Sequence, residues 1–135
     1  MTPGAADLAP SDLKPSDLVG AWRLESWSFE YDDGRPSEYP LGPRARGLLL
    51  YLPSGELSAT LMSTTPPPAS LAYAGRWSVR DGAVHHAIEI ASDPALAGVT
   101  TRRELALEGD RLTLTGADFR PGTGRHQKIV WRRQS

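Results

Sequence analysis

Hydrophobic and polar residues alternate one for one along most of the chain between Leu18 and Arg133, and clusters of Gly, Pro, Asp and Ser interrupt them at short intervals. Successive side chains of an extended strand point to opposite faces, so the pattern predicts half-buried strands and no helix of ordinary length. The clearest unit is Tyr73 to Ile90. Tyr73, Gly75, Trp77 and Val79 share one face of a strand, with Ala74, Arg76, Ser78 and Arg80 on the other. Asp81-Gly82 then tolerates the positive φ angles of a tight hairpin. The returning strand places Val84, His86, Ile88 and Ile90 together, with His85, Ala87 and Glu89 opposite, so His86 points toward the apolar side.

The remaining segments follow in order. Leu18 to Tyr31 reads as a long strand whose apolar parity changes after Trp22 and Leu24 to favour Trp27, Phe29 and Tyr31, which predicts a bulge or bend near Ser26. Asp32 to Ala45 is a long Pro- and Gly-containing loop. Gly47–Leu52 and Glu56–Met62 form a hairpin about Pro53-Ser54-Gly55. Ser63 to Ser70 contains Pro66, Pro67 and Pro68 and cannot join a central strand, because proline lacks the amide, but it can cover an opening. Loops at Ala91–Gly98 and Ala117–Gly124 flank strands at Val99–Glu108 and Arg111–Thr115, which are joined at Gly109-Asp110. Arg125–Arg133 is the last strand.

About eight strands with hairpin-length connections predict an all-β fold, an up-and-down antiparallel barrel or a sandwich, with closure favouring the barrel. Such a barrel has room for packed side chains or one small ligand. Residues 1–17 read as a flexible N-terminal arm, in which Ser16 either caps a single helical turn through Asp17, Leu18 and Val19 or belongs to a plain linker. Residues 18–135 form one domain.

Composition narrows the chemistry. Among 135 residues, 15 Lys and Arg against 16 Asp and Glu leave a formal charge of −1, so no global field collects nucleic acid or anionic membrane. With no cysteine, disulfides, thiolate metal sites and a cysteine nucleophile are excluded. The first residues lack the basic and apolar regions of a secretion signal, and no run approaches the ~18 apolar residues of a membrane span. A cytoplasmic protein is expected. No phosphate-binding glycine loop, dinucleotide fingerprint or nucleophile elbow is present, and no cofactor is expected. His85 and His86 lie on opposite faces of one strand, so a metal site would need His126 and Glu89 as partners, and none is expected.

If the apolar parity of each strand faces inward, the lining includes Tyr51, Tyr73, Trp77, His86, Ile88, Thr101 and Arg103. An inward arginine between Thr101 and Leu105 is costly unless it is paired or meets water or a ligand. Arg103 is then either an ion-pair partner of Glu25 or Glu30, or the anchor of a carboxylate, carbonyl or enolate. His86 is either a satisfied core histidine or a general acid/base, with Tyr73 as hydrogen-bond donor. Tyr51, Trp77, Ile88 and Thr101 are core residues or a ligand platform. Trp27 and Phe29 line the upper cavity or face outward, where an exposed aromatic pair would favour a homodimer.

Several segments resemble the short bacterial and fungal lipocalin-like domain family: Leu18-Val-Gly-Ala-Trp-Arg-Leu24, Tyr39-Pro-Leu-Gly-Pro43, Gly47-Leu-Leu-Leu-Tyr51, Tyr73-Ala-Gly-Arg-Trp77, Val84-His-His86 and Asp110-Arg-Leu-Thr-Leu-Thr115. The resemblance implies that Trp22, in Gly20-Ala21-Trp22, closes the barrel base and that an arginine of the last strand, Arg132 or Arg133, lies across its ring. It further implies a cavity for a hydrophobic small molecule. Some members of the family act as cyclases or isomerases on polyketide-type intermediates. The expected function is therefore a cofactor-free isomerase or cyclase on an apolar polyketide- or terpenoid-type molecule, in which Trp77 and Tyr51 fold the substrate, Arg103 or Tyr73 polarises its carbonyl and His86 moves protons. The alternative is a non-catalytic carrier or sensor of a hydrophobic molecule.

Overall fold

In the computed structural model, which describes residues 13–117 and 122–134, the alternating segments become eight antiparallel strands. They are β1 (Gly20–Tyr31), β2 (Arg46–Tyr51), β3 (Glu56–Met62), β4 (Ser70–Arg80), β5 (Ala83–Ala91), β6 (Thr100–Glu108), β7 (Arg111–Ala117) and β8 (Arg125–Arg133). Each strand pairs with the next, and β1 pairs with β8 from Trp22↔Arg133 to Tyr31↔Arg125, closing an up-and-down barrel. Closure leaves no free sheet edge, which is the physical advantage of this topology over a sandwich. Asp81 and Gly82 adopt φ of 53° and 73°, the turn their sequence predicts. Among the described residues no helix is long and apolar enough to cross a membrane.

Two bulges decide which side chains face inward. The β1–β8 register shifts between Leu24 and Ser26, so Glu25 is the extra residue and the apolar parity passes from Trp22 and Leu24 to Trp27. In the β4–β5 hairpin Ala74 pairs with Ile90 but Gly75 pairs with Ile88, so Glu89 is extra. This corrects the simple alternation: Ile90 lies outside and is 68% exposed, while Ile88 stays buried. Gly75 is required at this bend because a Cβ there would overlap the carbonyl oxygen of Ala87.

The barrel base is sealed from three directions. Trp22 is fully buried, donates its indole N–H to the carbonyl of Leu18 at 3.0 Å, and lies under the Arg133 guanidinium at 4.3 Å from the ring centre. Arg133 also donates to the carbonyls of Val19 and Asp17. It is therefore Arg133 that covers the tryptophan, while Arg132 points away and pairs with Glu25 at 2.6 Å.

At the start of the described residues Leu13 is buried and one helical turn spans Pro15–Leu18; residues 1–12, most of the segment expected as a flexible arm, lie outside the described set. Ser16 sits inside that turn and does not cap it. The turn begins with proline at its first position, where no amide is needed, and the Asp17 carboxylate accepts the Lys14 amide at 2.8 Å.

Candidate functional site

Three strands contribute a buried polar chain to the barrel interior. The Tyr51 hydroxyl from β2 lies 2.6 Å from His86 Nε2, and the Tyr73 hydroxyl from β4 lies 2.8 Å from His86 Nδ1. Both ring nitrogens of His86, itself 2% exposed on β5, are thus occupied. Burial, reinforced by the Arg103 charge, pushes the His86 pKa down to about 3, so the imidazole is neutral near pH 7. A neutral imidazole offers one donor and one acceptor. Tyr51 is fully buried with no second acceptor among the described residues, so its O–H donates to Nε2. In the tautomer whose Nε2 accepts from Tyr51, Nδ1–H donates to the Tyr73 oxygen, and the Tyr73 O–H is then free to donate into the cavity that Tyr73 lines. Burial raises the tyrosines in turn, Tyr73 to about 12 and Tyr51 well above its ordinary value.

The cavity beside this chain is lined by Trp27, Leu49, Leu61, Tyr73, His86, Ile88, Thr101, Arg103, Leu114, Gln127, Ile129 and Trp131, with Leu71 and Leu96 completing it. It gives about 40 Å³ to the centre of a water-sized sphere, within about 540 Å³ of unfilled space that includes its opening. Polarity is confined to one wall. Tyr73, His86, Thr101 and Arg103 come from β4, β5 and β6, whereas the opposite wall is apolar except for Gln127. Gln127 is already engaged, accepting from the Trp27 indole at 3.1 Å and donating to the Ala117 carbonyl at 3.4 Å.

Arg103 is buried, and burial lowers its pKa while the two tyrosines oppose that shift. A guanidinium nevertheless keeps its charge at neutral pH. Gly116 on β7 makes space for it: a Cβ at that position would collide with Arg103 Nη1 and stand 2.9 Å from its Cδ. Neither Glu25 nor Glu30 is an ion-pair partner of Arg103 among the described residues. Glu25 pairs with Arg132 and, at 3.3 Å, with Arg111, while the Glu30 carboxylate is held low by the hydroxyls of Ser28 and Ser37.

The sequence model of the lipocalin-like domain family matches residues 19–71 and 68–134. The chain belongs to that family. A search of the curated proteins finds no match. Among solved structures, this lipocalin-like barrel is similar to a lipocalin-like protein from Bacteroides uniformis, at 17% identity and a TM-score of 0.53, over 87% of this chain and 99% of that one. It is also similar to a redesigned beta barrel, at 15% identity and a TM-score of 0.52, over 96% and 99%. An uncharacterized protein from Bacteroides eggerthii matches at 14% identity and a TM-score of 0.50, over 87% and 100%. At these identities the likeness concerns the fold.

Within the lipocalin-like barrel, the structure brings together Tyr73, His86, Ile88, Thr101, Arg103 and Trp27 of the residues singled out from the sequence. Three others are placed differently. Tyr51 and Trp77 lie below the cavity as core, with ring centres 4.6 Å apart and the Trp77 indole donating to the Leu52 carbonyl at 3.0 Å. Tyr51 reaches the site only through His86. Phe29 is covered by Arg125 at 3.9 Å from its ring centre and lies off the cavity. With Trp27 on the cavity wall and Phe29 so covered, the pair forms no outward aromatic patch for a dimer. Sequence reasoning missed Gln127, Trp131 and Leu96. Gln127 was legible as an inward polar position on the last strand, once its parity was counted from Trp131. Among the described residues no group of three His, Asp or Glu is placed to hold a metal ion.

Proposed function

We propose that the cavity binds a small, largely apolar molecule through one acceptor oxygen placed against the Tyr73 hydroxyl and Arg103. The observation that carries this reading is that Tyr73, His86, Thr101 and Arg103 gather on one side of an otherwise largely apolar cavity. There the Tyr73 hydroxyl sits 2.8 Å from Nδ1 of a neutral His86 and lines the cavity. Such a wall recognises carbonyl-type oxygens, and the leucine-rich wall opposite takes the hydrocarbon body.

Two uses of this binding are compatible with the site. In the catalytic one, the barrel is a cofactor-free isomerase or cyclase on an apolar polyketide- or terpenoid-type molecule, and Tyr73 and Arg103 stabilise negative charge that builds on the substrate oxygen. His86 then acts by positioning Tyr73. Passing a whole proton along the chain would leave Tyr51 as a tyrosinate, which its burial strongly opposes. In the second use the barrel is a carrier or sensor. What favours it is that neither His86, at about 3, nor Tyr73, at about 12, titrates near neutral pH. General acid/base exchange at His86 is the least favoured form of catalysis here.

Methyl NMR titration with methyl isobutyl ketone and with isohexane, which lacks the oxygen, tests the binding reading. The ketone is expected to shift methyls of Leu49, Leu61, Ile88 and Ile129 and to bind more tightly than the hydrocarbon. Tyr73→Phe should weaken the ketone by about tenfold and leave isohexane unchanged, the effect of one net hydrogen bond. Equal binding of the two probes would refute the reading. Gly116→Ala provides a separate check, because it displaces the Arg103 guanidinium without removing its charge. Ketone affinity should fall, with some loss of Tm from crowding Arg103 and the Arg102 carbonyl. With a natural substrate in hand, Arg103→Met separates the two uses: a catalyst loses turnover more than affinity, a carrier only affinity.

A further inference from the structure

Among the described residues, Thr101 is the one side chain on the polar wall whose polar atom has no hydrogen-bond partner at all. Among the described residues, two buried side-chain polar atoms lack a hydrogen-bond partner, His85 Nδ1 and Thr101 Oγ1. His85 lies on the opposite face of β5 from His86, away from the cavity. Thr101 is 7% exposed, lines the cavity, and sits directly opposite His86 in the β5–β6 register. Its hydroxyl therefore stands beside the imidazole that holds Tyr73. A buried hydroxyl without a partner costs about 1–3 kcal/mol, a cost that a ligand or water can relieve.

We infer that the ligand carries a second oxygen within a few bonds of the first, and that Thr101 is the residue that selects it. The inference rests on the reading above, in which Tyr73 and Arg103 take the first oxygen. Tyr73 O–H and Arg103 can only donate to that oxygen, whereas a threonine hydroxyl donates and accepts. The second group is therefore a hydroxyl or a further carbonyl, which makes the ligand class a hydroxy-carbonyl or dicarbonyl compound. The confined space agrees: about 40 Å³ admits a compact oxygenated head and leaves the body against Leu49, Leu61 and Leu114.

Matched probe pairs differing by a single hydroxyl test this: acetoin against butanone, and diacetone alcohol against methyl isobutyl ketone. The affinity ratio within each pair is read by methyl NMR for the wild type, Thr101→Val and Thr101→Ser. At least one hydroxyketone is expected to bind about fivefold or more tightly than its parent ketone, the size of one net hydrogen bond. Thr101→Val, which keeps the shape, should bring that ratio to about one, and Thr101→Ser should restore the preference. If the ketones bind but the hydroxyl confers no preference, or if the preference survives in Thr101→Val, Thr101 is satisfied by water and this inference fails while the acceptor-oxygen reading stands. If neither ketone nor hydroxyketone binds the wild type, both fail together.

Discussion

Replacing Trp22 with alanine lowers the unfolding free energy by about 3–5 kcal/mol, the usual range for emptying a fully buried tryptophan site. The indole occupies the base where the chain start and chain end meet. The Leu18 carbonyl accepts its indole N–H, and Arg133 of β8 lies across the ring. Alanine would leave a cavity that these groups cannot jointly fill, because Arg133 is tied to the Val19 and Asp17 carbonyls. It would also leave the Leu18 carbonyl without its indole donor. Arg133→Met keeps the apolar cover and removes the charge and its hydrogen bonds, so its cost is smaller, about 1–2 kcal/mol. Urea unfolding followed by fluorescence measures both. A Trp22→Ala loss below about 1 kcal/mol would mean that the base is not a closure point.

The second large effect is an acid-dependent loss of stability that His86 controls. An unfolded histidine titrates near 6.5, while burial holds the folded one at about 3. Between those values the unfolded chain carries a proton that the folded chain does not, so lowering the pH favours unfolding. The contribution is complete above about 6.5 and is lost as pH falls toward about 3, with a slope of about 1.4 kcal/mol per pH unit. Carboxylates with lowered values, such as Glu30 and Glu56, add the same sign only below about 4.5, their ordinary value. His85 shares the direction of His86, but its ring is partly exposed and its share is smaller. The window from 6.5 down to 4.5 therefore reports mainly on His86, with roughly 3 kcal/mol at stake. His86→Gln preserves a donor and an acceptor for the two tyrosines and cannot titrate, so its stability should be nearly flat there. An unchanged slope in that variant, or an imidazole that titrates near 6.5 by NMR, would overturn the assignment.

Much of the fold was legible from residue order. The Asp81-Gly82 turn, the Glu56–Met62 and Arg125–Arg133 strands and the parity change near Ser26 all follow from side-chain alternation and turn chemistry, which are local properties. The bulge at Glu89 was not legible. Ile90 continues the apolar parity of Val84, His86 and Ile88, and only the backbone packing around Gly75 turns it outward. Leu13 was not legible either: a single leucine in a Pro- and Asp-rich stretch has no periodicity from which its burial could be read.

The candidate site divides along the same line. That His86, Tyr73, Thr101 and Arg103 face inward follows from alternation within three strands, so the sequence by itself determined which chemistry the interior holds. It also determined the barrel, because eight short alternating segments joined by tight turns have few ways to hide their edges. Only the tertiary structure decided how those residues combine. Barrel curvature and register set the depth of each inward position, dropping Tyr51 and Trp77 beneath the cavity and raising Trp27 into it. Depth in turn set the chemistry of His86. With a tyrosine on each ring nitrogen and burial opposing a charge, the imidazole is a neutral hydrogen-bond bridge near pH 7.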